Sequence, residues 1–188
     1  MAQIISDNIV LRPLESRDLE NRVAWFNDPQ VRQTLVVTEQ YEIEKTRRWF
    51  ERLQTDESRV EFAIDTPDGV TIGVTGLVGI EKEHAVAECY CIIGNKDYWG
   101  KKLGTEIHSV LIQWAFGFLG LVKIRADIRT NNPAIFRVVE KLGFKIEGTL
   151  RQEKIVSGQR IDLNRIGLLR SEFTQTHHRF EVDRKSVG

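Results

Sequence analysis

The chain has 188 residues, and its 27 lysines and arginines balance 27 aspartates and glutamates. That length suits one domain with a sizeable buried core, and zero formal net charge argues against the basic footprint of a nucleic-acid binder. No apolar run reaches the roughly 18 residues of a membrane span, and the chain does not open on the basic-then-apolar pattern of a secretory signal, so a cytoplasmic protein without nucleic-acid or membrane partners is expected.

Residues 9–14 read as a first strand, and residues 18–26 and 43–54 as helices; in the second helix Trp49, Phe50 and Leu53 recur at helical spacing. Residues 60–65 form a second strand ending in Thr66-Pro67-Asp68-Gly69, a turn in which Pro presets φ and Gly supplies positive φ. A third strand alternates, with Ile72, Val74, Gly76, Val78 and Ile80 on one face. Residues 85–93 are the fourth strand. Its two cysteines, Cys89 and Cys91, lie too close in sequence for an ordinary structural bridge and read as reduced, buried thiols; a metal site there lacks further ligands at a suitable spacing. Next comes Tyr98-Trp99-Gly100-Lys101-Lys102-Leu103-Gly104-Thr105-Glu106, opening a helix over 105–118 with an apolar stripe of Ile107, Leu111, Trp114 and Phe118. Residues 122–128 are the fifth strand, with Val122, Ile124, Ala126 and Ile128 inward. Asn132-Pro133 opens a helix with Pro at its first position, and Leu142-Gly143 closes it. Residues 145–155 and 162–169 are two further strands about a Ser157-Gly158 turn. Residues 174–188 are polar and read as a loose tail or short helix, which leaves 1–173 as one domain. Strands interleaved with helices predict a mixed sheet in an α/β (α+β) domain.

A glycine-bearing loop that leaves a strand and opens a helix is suited to cradle phosphate. The N–H groups of a first helical turn have no internal acceptors, and the helix dipole adds partial positive charge there. Gly100 and Gly104 allow close approach of an anion to the backbone, and Lys101 and Lys102 add charge. The P-loop pattern is absent, because Thr105 and Glu106 follow Gly104, and G-x-G-x-x-G is absent too. Those absences set aside a nucleoside triphosphatase and a nicotinamide-binding fold.

Further on stand Asn132-Pro133-Ala134-Ile135-Phe136-Arg137-Val138-Val139-Glu140-Lys141-Leu142-Gly143-Phe144 and Glu147-Gly148-Thr149-Leu150-Arg151. Together with the glycine loop, Ile9-Val10-Leu11-Arg12-Pro13-Leu14 and Trp25-Phe26-Asn27-Asp28-Pro29, they resemble the GNAT superfamily of N-acetyltransferases. The branch they are most similar to holds the Rim ribosomal-protein and the spermidine acetyltransferases, and the resemblance spans residues 8–173. It implies a central mixed, mostly antiparallel sheet flanked by helices, with the fourth and fifth strands splayed apart. It implies acetyl-CoA as cosubstrate and no metal. The diphosphate would rest on the loop of Trp99, Gly100, Lys101, Lys102, Leu103, Gly104 and Thr105, held by N–H groups from Gly100 onward. The pantetheine arm would pair with the backbone of Cys91, Ile92 and Ile93. Asn132 would bond that arm while capping its helix, and Phe136 and Lys141 complete the implied contacts.

The chain departs from the family pattern in four places. Trp99 replaces an Arg or Gln, and Lys102 replaces a Gly. A left-handed Lys102 would carry strain of about 1–2 kcal/mol, and the loop is expected to avoid it. Ile135 stands where a Ser is common, and Val139 where many relatives carry the Tyr that protonates the departing thiolate. Water, or proton return from the tetrahedral intermediate, would replace that Tyr.

The acceptor implied is a primary amine, which attacks in its neutral form. At pH 7 a lysine-like amine is neutral to about 0.04% and an α-amine to about 14%, so a polyamine needs a general base more than a protein N-terminus does. Glu88, on the same strand face as Tyr90 and Ile92, is the candidate base, acting through water; the bland alternative is a solvated strand Glu. Tyr90 either shapes the acceptor slot or simply packs. His84, His108, His177 and His178 show no triad or metal pattern. Glu39, Glu42 and Glu44 suggest an acidic mouth, but Lys45, Arg47 and Arg48 follow, and the run reads better as a solvated helix start. The expected acceptors are, in order, a protein or peptide α-amine, a polyamine, then an amino sugar or other small amine. The competing reading is a non-catalytic CoA-binding sensor or partner module. The chain is a monomer or a homodimer, with Phe116-Gly117-Phe118-Leu119 serving either an interface or the core.

Overall fold

The computed structural model describes residues 3–37, 39–156, 158–174 and 180–183. In chain order the elements are β1 (Gln3–Ser6), β2 (Val10–Pro13), α1 (Leu19–Asn27), α2 (Pro29–Arg32), α3 (Ile43–Leu53), β3 (Val60–Asp65), β4 (Thr71–Glu81) and β5 (Val86–Ile93). They continue with α4 (Leu103–Phe118), β6 (Lys123–Arg129), α5 (Pro133–Leu142), β7 (Lys145–Val156), β8 (Gln159–Leu169) and β9 (Phe180–Asp183). The strands form one mixed sheet in the order β7-β8-β6-β5-β4-β3-β2-β1-β9. Among the described residues only the β5–β6 pair is parallel, because α4 is the crossover between those strands. This is the mixed, mostly antiparallel, helix-flanked sheet expected. Among the described residues no helix is long and apolar enough to cross a membrane.

Each face of the sheet has its own apolar layer. On one, Ile107, Val110, Leu111 and Trp114 of α4 and Val139 and Leu142 of α5 pack with Phe62, Leu77, Ala87, Cys89 and Ile124. On the other, Leu19 and Phe26 of α1, with Trp49, Phe50 and Leu53 of α3, pack on Ala63, Val74 and Ile92. The helix boundaries follow local chemistry. The Asn132 side chain accepts the Ile135 N–H at 3.3 Å, Pro133 takes the first turn, and Gly143 ends α5 in the left-handed region at φ +92°. A Cβ on Gly143 would meet the Glu172 carbonyl at 2.5 Å.

Several local expectations are corrected. β1 and β9 are strands that the sequence reading passed over. Residues 180–183, expected within a loose tail or short helix, pair antiparallel with β1, Ile4 facing Val182. Phe180 and Val182 thereby cover the α4-side core. Four-residue strands are too short to register as periodicity. Val122 is not inward: it precedes β6 and is 50% exposed. The alternation in β4 is interrupted by register shifts at both ends of the strand. Ile72 and Ile80 therefore pack with the α4-side core and Val74 with the α1-side layer. Each bulge adds a residue and so turns the next side chains to the other face. Phe116 is buried and packs edge-on to Phe173, whereas Phe118 and Leu119 are exposed. Ser157, His177 and His178 lie outside the described residues.

Arg12 ties the α1 end of the sheet together. Its two terminal nitrogens each donate to Asp18 at 2.7 Å, and its Nε donates to Asp65 on β3 at 2.7 Å. All three residues are buried, and the bonds to Asp18 and Asp65 hold the guanidinium pKa above its ordinary value. Arg12→Ala leaves two buried carboxylates without their cation. Urea unfolding is expected to show a loss of about 3–5 kcal/mol.

Candidate active site

β5 and β6 pair only through Val86–Lys123, Ala87–Ile124 and Glu88–Arg125. Beyond Glu88 they diverge, while β5 stays paired with β4 out to Ile93 and β6 with β8 out to Arg129. The gap is a cleft of about 330 Å³. Cys89, Tyr90, Cys91 and Ile92 of β5 line one wall. Ala126, Asp127, Ile128 and Arg129 of β6, with Asn132, Ile135 and Val139, line the other. The α1 side contributes Arg22, Phe26, Arg59 and Glu61. The expected splay of the fourth and fifth strands is thus present, and it frees a strand edge able to pair with an extended ligand.

The start of α4 comes directly after the end of β5. Gly100 has φ +75° and Lys102 has φ +64°, ψ +9°. The expectation that Lys102 avoids the left-handed region is therefore overturned: Lys102 is the N-cap residue itself. Two left-handed residues turn the chain sharply enough to begin a helix at Leu103. The N–H groups from Gly100 to Thr105 find no hydrogen-bond acceptor among the described residues. Beside them Lys101, Lys102, Leu103, Thr105 and Lys141 line a hollow of about 430 Å³ with Asn8 and Glu106. Glu106 is buried and held by the Ser6 hydroxyl at 2.8 Å and by Asn8 N–H groups at 2.9 and 3.0 Å. That bond set anchors α4 on the β1–β2 turn. Unbonded N–H groups, a helix N-terminus and three lysines make an anion seat.

On the floor of the cleft Tyr90 donates its hydroxyl to Glu61 of β3. Glu61 is 1% exposed, and burial pushes its carboxyl pKa up, opposed by the Tyr90 bond and by Arg59. Burial, reinforced by the Glu61 charge, also raises the Tyr90 phenol. Arg59 comes within 3.3 Å of the other Glu61 oxygen, but out of alignment, so neither atom is hydrogen-bonded. Glu88 is not part of the lining: at the closed end of the gap it faces Arg125 at 3.3 Å, and Arg125 also holds Glu81 at 2.9 Å. His108 lies one turn inside α4 and lines the cleft. Its Nδ1 donates to the Gly104 carbonyl at 2.8 Å, and burial lowers its pKa.

The structure thus gathers Tyr90, Cys91, Ile92 and Asn132 around the cleft, and Lys101, Lys102, Leu103, Thr105 and Lys141 around the anion seat. Phe136 lines neither and packs against the α4-side core. Trp99 is 40% exposed, and its indole N–H donates to the Ile93 carbonyl at 2.7 Å, closing the end of β5. Glu61, Arg22, Arg59 and His108 were not singled out as site residues. Their strands and helices were legible, but nothing local marks a strand Glu or a helix Arg as facing a cleft.

A mixed sheet that opens beside the N-terminus of its crossover helix is the architecture of the acetyltransferase fold. The profile of the Acetyltransferase (GNAT) domain family matches residues 8–145. An uncharacterized N-acetyltransferase, p20 of Bacillus licheniformis, is 26% identical over 178 residues, 92% of this chain and 99% of that protein. Spermidine N(1)-acetyltransferase of Escherichia coli strain K12 is 28% identical over 182 residues, 90% of each chain. The crystal structure of spermidine N-acetyltransferase from Vibrio cholerae in complex with CoA and spermine superposes with a TM-score of 0.82 at 25% identity, covering 87% of this chain and 96% of that one. The chain belongs to the GNAT acetyltransferase family and is an N-acetyltransferase.

Replacing Lys102 by Gly relieves left-handed strain of about 1–2 kcal/mol and adds unfolded-state entropy of about 0.5–1 kcal/mol. The variant is expected to gain between about 0 and 1.5 kcal/mol in urea unfolding. His108 gives a pH dependence of definite sign. Its folded pKa lies below the unfolded value of about 6.5, so its contribution to stability is full above that pH and is lost as pH falls beneath it. The urea midpoint is expected to drop between pH 7 and pH 5, and to drop less in His108→Gln.

Proposed function

We propose that this N-acetyltransferase uses acetyl-CoA and acetylates a primary amine by direct attack on the thioester. The observation that carries the reading is the run of unbonded N–H groups from Gly100 to Thr105 beside the unpaired stretch of β5. The N–H groups, with Lys101, Lys102 and Lys141, suit a diphosphate. The edge of β5 at Cys91 and Ile92 suits an amide-bearing arm, with the Ile93 carbonyl already taken by the Trp99 indole, and Asn132 stands beside it. The acceptor amine enters from the α1 side and meets Tyr90. We assign proton removal to Glu88, acting through water from the closed end of the gap. The Glu61–Tyr90 pair seats the ammonium before that step.

The acceptor order we favour is a protein or peptide α-amine, then a polyamine, then an amino sugar or small amine. The α-amine leads because Val139 is apolar and buried where a phenol would assist, and an α-amine demands less of the catalytic groups. The same Val139 is what favours the second reading, a CoA-binding module without catalysis; turnover of any amine removes it.

Isothermal titration calorimetry with acetyl-CoA is expected to show one site per chain at micromolar strength or better. Gly104→Trp, which fills the seat beside Val138, should weaken that binding at least about tenfold. Unchanged binding in this variant would sink the reading. Glu88→Gln should lower kcat while acetyl-CoA affinity holds.

A further inference from the structure

Arg22, on α1, is a buried cation with no direct ion pair among the described residues; the Glu61 carboxyl feels its charge, which lowers the Glu61 pKa, without touching it. It is 8% exposed, and its guanidinium carbon lies 4.3 Å from the Phe26 ring centre, 4.2 Å from that of Trp49 and 5.4 Å from that of Tyr41. Among the described residues its guanidinium makes no hydrogen bond and no ion pair, and its Nε is fully buried without a partner. A charge taken out of water in this way is destabilising unless something pairs with it. The aromatic faces offset part of that desolvation and fix the plane of the fork, leaving its N–H donors unused.

Arg22 lines the cleft, and with its Nε buried only the terminal nitrogens are open to a ligand. Arg22 also borders a neighbouring hollow lined by Glu39, Gln40, Tyr41, Glu42, Lys45, Thr46, Trp49 and Arg59. The acidic groups around Arg22 are otherwise engaged or remote. Glu61 bonds Tyr90 and faces Arg59. Asp127 is gripped by Arg165 at 2.7 and 2.8 Å. Glu42 holds Lys45 at 2.7 Å, and Glu39 is exposed to solvent. Arg59 lies by the same Trp49 ring, its guanidinium carbon 5.6 Å from the centre. The α1 side of the cleft therefore presents two guanidiniums and one buried carboxyl, an excess of one positive charge.

We infer that the acceptor is an amino carboxylate, an amino acid or peptide whose amine lies near a carboxylate that Arg22 binds with its free fork. The inference rests on the acetyltransferase reading and refines its acceptor. A planar guanidinium matches a carboxylate with two parallel N–H···O bonds. The ammonium of the same molecule finds the Glu61–Tyr90 pair. A polyamine, cationic along its length, would set its charges against Arg22 and Arg59, although the relatives named above include spermidine acetyltransferases.

The test compares three acceptors with the full chain and acetyl-CoA: a dipeptide with a free C-terminal carboxylate, its C-terminal amide, and spermidine. Release of the CoA thiol gives kcat/KM, and titration into the protein–CoA complex gives binding. The dipeptide should exceed its amide by at least about tenfold, since a site built to bond a polar group rejects the analogue lacking it, and should exceed spermidine. Arg22→Gln should level dipeptide and amide, while Arg22→Lys keeps part of the preference because it keeps the charge but not the fork. Acetyl-CoA titration of each variant reports its folding; if Arg22→Gln is unfolded, Arg22→Lys carries the comparison. Parity of dipeptide and amide in the native chain, preference for spermidine, absence of binding by any of the three, or selectivity unmoved by Arg22 substitution overturns the inference. With acetyl-CoA bound, such a result leaves the acetyltransferase reading standing; without acetyl-CoA binding, both fall.

Discussion

The divergence of β5 from β6 after three paired residues is the constraint on which the rest of the molecule is arranged. An open gap inside a sheet exposes backbone donors and acceptors that would ordinarily be paired. The flanking strands must therefore be secured from outside, and they are. β5 is held along its length by β4 and β6 along its length by β8. Arg125 bonds across the closed end to Glu88 and Glu81, so the two strands part at a defined residue. Because α4 is the crossover between them, its N-terminus stands at the mouth of the gap. The anion seat and the free strand edge are two consequences of one topological choice.

The α1 side carries a different burden. Arg22, Glu61 and Tyr90 place ionisable groups in a space largely buried from solvent, with Arg59 at its edge. The aromatic rings of Phe26, Tyr41 and Trp49 offset some of the desolvation of Arg22, and the Glu61–Tyr90 bond offsets some of that of Glu61. The remainder stays as unsatisfied atoms. Arg12 shows the contrasting case. It too is buried, but Asp18 and Asp65 occupy its Nε and both terminal nitrogens, so it serves the fold alone. Two buried arginines on neighbouring elements thus differ in whether their donors are bonded, and that difference separates a structural cation from a recognition group.

The left-handed Lys102 belongs to the same logic. A lysine there carries strain that glycine would avoid, yet it puts an ammonium at the anion seat. Local comfort and local charge conflict at that position, and sequence patterns weigh only the first. Strain considered alone predicts a loop that avoids the left-handed region, and Lys102 adopts it nonetheless.

Much was legible in the residues themselves. The N-cap of α5 at Asn132, its stop at Gly143, the crossover helix after the glycine loop and the order of the longer strands all arise from nearest-neighbour chemistry, which acts over a few residues and leaves a local mark. The mixed sheet and the family were readable from these marks in combination. The pairing of β9 with β1, the bulges that split the β4 alternation, and the placing of Glu61 beneath Tyr90 were not. Each depends on segments distant in sequence meeting in space: Gln3–Ser6 meets a strand near the other end of the chain, and a β3 carboxyl meets a β5 phenol. The sequence by itself determined the longer elements, the caps of α5 and the family; only the tertiary structure decided which charged side chains face the cleft and which of them are left without a partner. Burial and pairing of charge are properties of the assembled layers, and no short stretch of residues encodes them.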